Sequence, residues 1–164
     1  LSADGYNSST ISKKSISPIL SAIQSDLCES GIDGVLSTHI QRDALEKFSY
    51  VSPIGAAGVY LHAVAGDFQK EGAARELFKS MIREISTLAA AMGYPFEKDY
   101  VKINLEILSN LSADATTSMQ RDIMEGKPSE LDGLVMEPLR LAKKYSVSMP
   151  CYEEVANVLC PLEF

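Results

Sequence analysis

Apolar residues recur at intervals of three and four through most of the chain, the period of a helix with one face turned inward. The clearest case is residues 71–92, where Leu77, Phe78, Met81, Ile82, Ile85, Leu88, Ala89 and Met92 form one stripe before Gly93 and Pro95 end it. Ile19, Leu20, Ile23 and Leu27 predict a helix over 18–30 closed by Gly31, and Val101, Leu105 and Leu108 predict another over 98–108. A helix capped by Ser37 or Thr38 is expected to reach about Tyr50, with Pro53 opening a new element of small residues. From Ser129, the residues Leu131, Leu134, Val135, Leu139, Ala142 and Tyr145 describe a long helix interrupted by Pro138. A proline inside a helix costs about 3 kcal/mol unless the backbone gives way, so a kink or break is expected near Glu137. Pro150 starts the last helix, which carries Val155, Val158 and Leu159. No segment alternates long enough for a sheet, and no internal repeat is visible. The pattern predicts a compact all-α domain of about seven helices over 18–164, preceded by a Ser-, Gly- and Asn-rich linker or remnant of a missing domain over 1–17.

Composition narrows the function classes. With 46% hydrophobic and 23% charged residues the 164-residue chain reads as an ordinary globular domain. A net charge of -7 and the lack of a Lys/Arg cluster argue against a nucleic-acid partner. The weakly polar run 54–66 is shorter than the roughly 20 residues a membrane helix needs, so no membrane partner is expected. The 3 cysteines, Cys28, Cys151 and Cys160, lack zinc-site spacing and a disulfide framework, which suits reduced thiols in a cytoplasmic protein. The chain opens at Leu1 with no Met and no secretory pattern, as a piece of something longer would.

Candidate chemistry is sparse. Gly55 and Gly58 have Gly-x-x-Gly spacing without the strand of a phosphate loop, so close helix packing is the expected role. His62, with no second ligand at helical spacing, is expected in the core or a cleft wall, and His39 on the surface. Lys47 interrupts the apolar stripe of Ala44, Phe48 and Val51. Its stem either lies along apolar surface with the ammonium in water, or its amine lines a cleft. Downstream, Met119 and Ile123 mark a short helix ended by Gly126, with Pro128 in the first turn of the next. Ser118 and Glu130 flank that corner. Either Ser118 is a first-turn helix residue and Glu130 a favourable charge near a helix N-terminus, or the two are a hydroxyl and a carboxylate of one site.

The run Thr-Ser-Met-x-x-Asp-Ile-x-x-Gly-x-x-Ser-Glu-Leu-Asp at 117–132, followed by Tyr145, Val147 and Pro150, resembles the signature of the C-terminal domain of ketopantoate reductases (2-dehydropantoate 2-reductases). Glu-Lys-Phe at 46–48 is similar to the family's lysine segment, and the likeness extends from about Gly31 to Leu159. Arg121 and Ser146 stand where the family usually has Gln and Gly. Val51, Gly55 and Ala115 stand where it often has Asn. The resemblance implies a helical fold of the 6-phosphogluconate dehydrogenase C-terminal type and a 2-keto acid substrate, reduced in pantothenate biosynthesis. It further implies that Lys47 is the general acid, that Glu130 holds the substrate's hydroxyl and helps orient the lysine, and that Ser118 hydrogen-bonds its carboxylate. NADPH would be bound mainly by a Rossmann domain N-terminal to these residues, and a homodimer is possible. A non-enzymatic helical dimerisation or interaction module that kept the fold is the competing class.

Overall fold

The computed structural model describes residues 17–160; apart from Ser17, the expected linker over 1–17 lies outside the described residues. These form eight helices: α1 (Pro18–Glu29), α2 (Ile40–Leu61), α3 (Ala65–Gln69), α4 (Ala73–Ala91), α5 (Tyr100–Ser109), α6 (Ser118–Met124), α7 (Glu137–Tyr145) and α8 (Pro150–Leu159). A π-helical turn, Asp132–Met136, leads directly into α7. The all-α class holds, with one helix more than the apolar pattern predicts: the five-residue α3 is too short to show a period of its own.

Two compact units, Leu1–Ile40 and Gln41–Phe164, divide the chain. In the first, α1 ends at Gly31, and the Gln24 side-chain amide donates to the Gly34 carbonyl at 2.7 Å, folding the connector back along the helix.

The second unit is built around α4. Phe78, Met81, Ile82, Ile85 and Leu88 are each 1% exposed or less, as the stripe predicts, and α4 packs against α3, α5, α7 and α8. Tyr152 and Val155 of α8 and Val135 of the π turn are fully buried in the same core.

Proline shapes two of these helices. Pro53 does not open a new element; it lies inside α2, which runs unbroken for 22 residues. A proline at this position leaves the carbonyl one turn earlier, that of Ser49, without its helical donor. Asn104 of α5, 1% exposed, fills the gap: its Nδ2 donates to the Ser49 carbonyl and to Ser49 Oγ, each at 3.1 Å. The expected break near Glu137 is present. The Glu137 N–H bonds the Asp132 carbonyl five residues back, and this wider turn brings the chain to Pro138. The Leu134 carbonyl, one turn before Pro138, accepts from Ser52 Oγ of α2 at 2.6 Å, and the buried Tyr152 hydroxyl donates to Ser52 in turn. Burial pushes the Tyr152 phenol upward, so it stays a donor.

Five of the eight helices end in the same way. Gly31, Gly93 and Gly126 adopt positive φ just past α1, α4 and α6, and each is followed by an N–H that reaches five residues back. Two further helices end the same way without glycine, α2 at His62 (φ 52) and α7 at Ser146 (φ 56). At the N-terminus of α8 the cap comes from another helix: Glu84 of α4 accepts the Cys151 and Tyr152 N–H groups at 2.8 and 3.1 Å.

Candidate active site

Lys47, Val51 and Gly55 follow one another at four-residue intervals along α2, spanning about 12 Å of one side of the helix at 1.5 Å per residue. The far end of that row is where two other segments arrive. A Cβ placed on Gly55 would stand 3.1 Å from the Met119 methyl, 3.9 Å from Leu134 Cδ1 and 3.9 Å from Thr117 Oγ1. Thr117 and Met119 bracket Ser118, and the N–H of Leu134 bonds the Glu130 carbonyl at 2.9 Å. The start of α6 and the segment leading into the π turn therefore converge on the side of α2 that carries Lys47.

What seats α6 there is Gln120. Thr117 caps the helix, and Gln120 at its third position reciprocates, accepting the Thr117 N–H at 3.0 Å and its hydroxyl at 3.1 Å. Its Nε2 crosses to the Ala63 carbonyl at 2.7 Å. The amide lies in space left open by Gly58, where a Cβ would come within 2.7 Å of Gln120 Cδ. Both glycines of the Gly-x-x-Gly pair thus serve close packing, as the sequence reading expects.

Lys47, Ser118 and Glu130 are all exposed. Among the described residues neither the Lys47 amine nor the Glu130 carboxylate enters an ion pair, and the three side chains are not in hydrogen-bond contact with one another. The stripe of Ala44, Phe48 and Val51 that Lys47 interrupts gives it little shelter: Ala44 is exposed, Val51 is 37% exposed and only Phe48 is half-buried. The cause is position. Lys47 sits at the edge of the apolar stripe, and the tight packing on α2 comes one to three turns later, at Ser52, Gly55 and Gly58. Pro128 also differs from expectation, lying in the irregular link before the π turn instead of in a helical first turn.

Charge around the π turn is organised by Arg140. Its guanidinium holds Asp132 through two bonds of 2.9 and 2.7 Å and Glu137 through one of 2.7 Å. The Arg140 hydrogen bond keeps the Asp132 carboxyl below the usual range. At the start of α5, burial and then a hydrogen bond to Glu46 of α2 push the Tyr100 phenol up. His62 is exposed and not in the core, but it does line a cleft of about 440 Å3 with Val59, Thr116, Gln120 and Met124. Among the described residues no cluster of His, Cys, Asp and Glu is placed to hold a metal, and no helix is long and apolar enough to cross a membrane.

Sequence reading passed over Gln120, Ser52, Asn104 and Tyr152. Only Gln120 carried a local signal, the Thr-x-x-Gln spacing of a reciprocal helix cap. The others act across the fold.

Residues 39–163 match the family model described as ketopantoate reductase PanE/ApbA C terminal. The uncharacterized oxidoreductase YkpB of Bacillus subtilis (strain 168) is 24% identical over 121 residues, 74% of this chain and 40% of that protein. Among solved structures, 2-dehydropantoate 2-reductase from Methylococcus capsulatus superposes with a TM-score of 0.80 at 23% identity, covering 90% of this chain and 47% of that one. Dimeric ketopantoate reductase from Staphylococcus aureus gives 0.77 at 19% identity over 88% and 50% of the two chains. D-mandelate dehydrogenase with NADH and anilino(oxo)acetate gives 0.72 at 18% over 84% and 57%. At these identities the solved structures establish the fold, and this chain spans about half the length of such relatives.

Proposed function

Because the chain belongs to the ketopantoate reductase PanE/ApbA C-terminal family, we propose that it is the substrate-side, catalytic half of an NADPH-dependent reductase of ketopantoate or a related 2-oxo acid. The observation that carries this reading is the convergence at Gly55, where the Lys47-bearing side of α2 meets the two segments that hold Ser118 and Glu130.

The described residues do not fit the cofactor: they contain no strand, and so no strand–glycine turn–helix unit to seat a pyrophosphate. NADPH belongs on a Rossmann domain outside these residues. What the present residues do is hold the acid and manage the proton. The Lys47 ammonium hydrogen-bonds the keto oxygen, stabilises the negative charge that grows there on reduction, and gives up a proton from Nζ as the oxygen becomes an alcohol. Ser118 donates its hydroxyl proton to the substrate carboxylate. Glu130 accepts from the substrate's hydroxyl and helps to orient the Lys47 amine. Exposure of all three suits a half-site whose opposite wall is the cofactor domain, since catalytic contacts tighten only when substrate is bound. Homodimer formation, as in the dimeric relative from Staphylococcus aureus, is part of the same reading.

The test is NADPH oxidation by the intact protein with ketopantoate as acceptor. Turnover is expected, with Ser118→Ala and Glu130→Gln each raising KM by about tenfold as one hydrogen bond to substrate is lost. Absence of turnover with every 2-oxo acid contradicts the proposal and leaves a helical interaction module.

A further inference from the structure

The cleft of about 440 Å3 at the end of α2 is lined by none of Lys47, Ser118 and Glu130. Its size falls within the roughly 300–1,000 Å3 of small-molecule sites. Val59, Val64, Ile123 and Met124 give it hydrocarbon walls, and Met124 is 83% exposed. Gln120, which also lines it, is committed to the protein itself: its Oε1 accepts the Thr117 N–H and hydroxyl, and its Nε2 donates to the Ala63 carbonyl. Two nitrogen-bearing groups are not. The exposed His62 ring makes no hydrogen bond among the described residues. Thr116, a further wall residue, carries the Arg121 guanidinium, whose Nη1 donates to its carbonyl at 2.7 Å and to its hydroxyl at 3.3 Å. That contact fixes the guanidinium and leaves Nε and Nη2 to donate elsewhere. Arg121 enters no ion pair among the described residues, and no acidic side chain lines the cleft. Asp67, next to Val64, is taken up by the Val64 N–H at 3.0 Å.

We propose that this cleft is a binding site for a small monocarboxylic acid with an aryl or alkyl body: the hydrocarbon lies between Val59 and Met124, and the carboxylate accepts from the His62 imidazole and the Arg121 guanidinium. The two parts of the site meet separate needs. Burying hydrocarbon gives affinity in proportion to area and no preference for charge. A fixed guanidinium offers charge-assisted donors in a plane, which favour a carboxylate over a neutral or cationic group on the same body. The site owes nothing to the reduction chemistry at Lys47.

The experiment is an NMR titration of the intact protein, labelled with 13C at the histidine rings and methionine methyls, with 3-phenylpropanoate, 3-phenylpropan-1-ol and 3-phenylpropylamine. The acid has no keto group and so is not reduced. His62→Gly and Met124→Leu assign the two reporter signals by their loss. Both signals are expected to shift saturably with the acid at a Kd of about a millimolar or tighter, with the alcohol at least about fivefold weaker and the amine weaker still. His62→Gly and Arg121→Gln, read at Met124, are each expected to weaken the acid about fivefold and to leave the alcohol unchanged. Glycine takes the positive φ of His62 without a Cβ clash, so that variant suits the fold, and a thermal melt checks each. Should a variant unfold, the wild-type preference for acid over alcohol decides. No shift of either signal at about 10 mM acid means that the cleft is closed in the intact protein, by its other domain or by a second copy, and overturns the proposal. Equal binding of acid and alcohol, or acid affinity unchanged in both variants, overturns it too. None of these readouts involves turnover, so the reductase reading stands or falls separately.

Discussion

Ser52 and Asn104 do the same work at two places: each gives a hydrogen bond to a carbonyl that a proline one turn later leaves without its helical donor. Ser52 is fully buried and also accepts from Tyr152, so Ser52→Ala removes both partners of a buried chain. The expected cost is about 2 kcal/mol, the desolvation of groups left unpaired, read as a lower denaturation midpoint with unchanged slope. A loss within experimental error would show that the Leu134 carbonyl is served from elsewhere. Cys151 gives a second residue-scale expectation. Burial, and after it Glu84, pushes its thiol to about 11, so at neutral pH almost none is thiolate, whereas Cys28 is exposed. Iodoacetamide followed by mass spectrometry is expected to label Cys28 well before Cys151. The difference is expected to shrink as pH rises towards 11.

Helix ends separate what the sequence states locally from what it leaves to the fold. Gly31, Gly93 and Gly126 announce their stops because glycine reaches positive φ without a Cβ clash, whereas His62 and Ser146 take the same conformation with nothing in their side chains to signal it. Replacing either with glycine is expected to raise stability by about 1 kcal/mol, the strain of a left-handed L-residue, measured by chemical denaturation. No gain would mean that the side chain contributes as much as the strain costs. Pro138 was legible as a break because a missing N–H is a property of the proline itself. Pro53 misled for the opposite reason: the group that makes it tolerable, Asn104, lies on another helix. The cap on α8 was hidden in the same way, being supplied by Glu84 of α4. Glu84→Ala is expected to cost about 1 kcal/mol and to expose the amides of Cys151 and Tyr152 to faster hydrogen exchange. Unchanged exchange there would rule out the cap.

For the molecule as a whole, the helical class and the central place of α4 could be read from the 3.6-residue period, since burial on one face of a helix leaves that imprint. The candidate site was legible as residue types and not as an arrangement. Lys47 lies far along the chain from Ser118 and Glu130, and the segments that carry them meet through the packing of Met119 and Leu134 on Gly55 and of Gln120 on Gly58. Lys47 is exposed although it interrupts an apolar stripe, because a stripe shows which side of a helix is apolar and not how far its neighbours extend along it. A chain that spans about half of its solved relatives leaves room for the opposite wall to come from a cofactor domain. The most direct measurement is the NADPH-dependent reduction of ketopantoate by the intact protein and its Lys47→Ala variant. Loss of the proton donor is expected to lower kcat by at least about a hundredfold while the thermal melt stays unchanged. A Lys47→Ala protein that turns over at the wild-type rate would contradict the account.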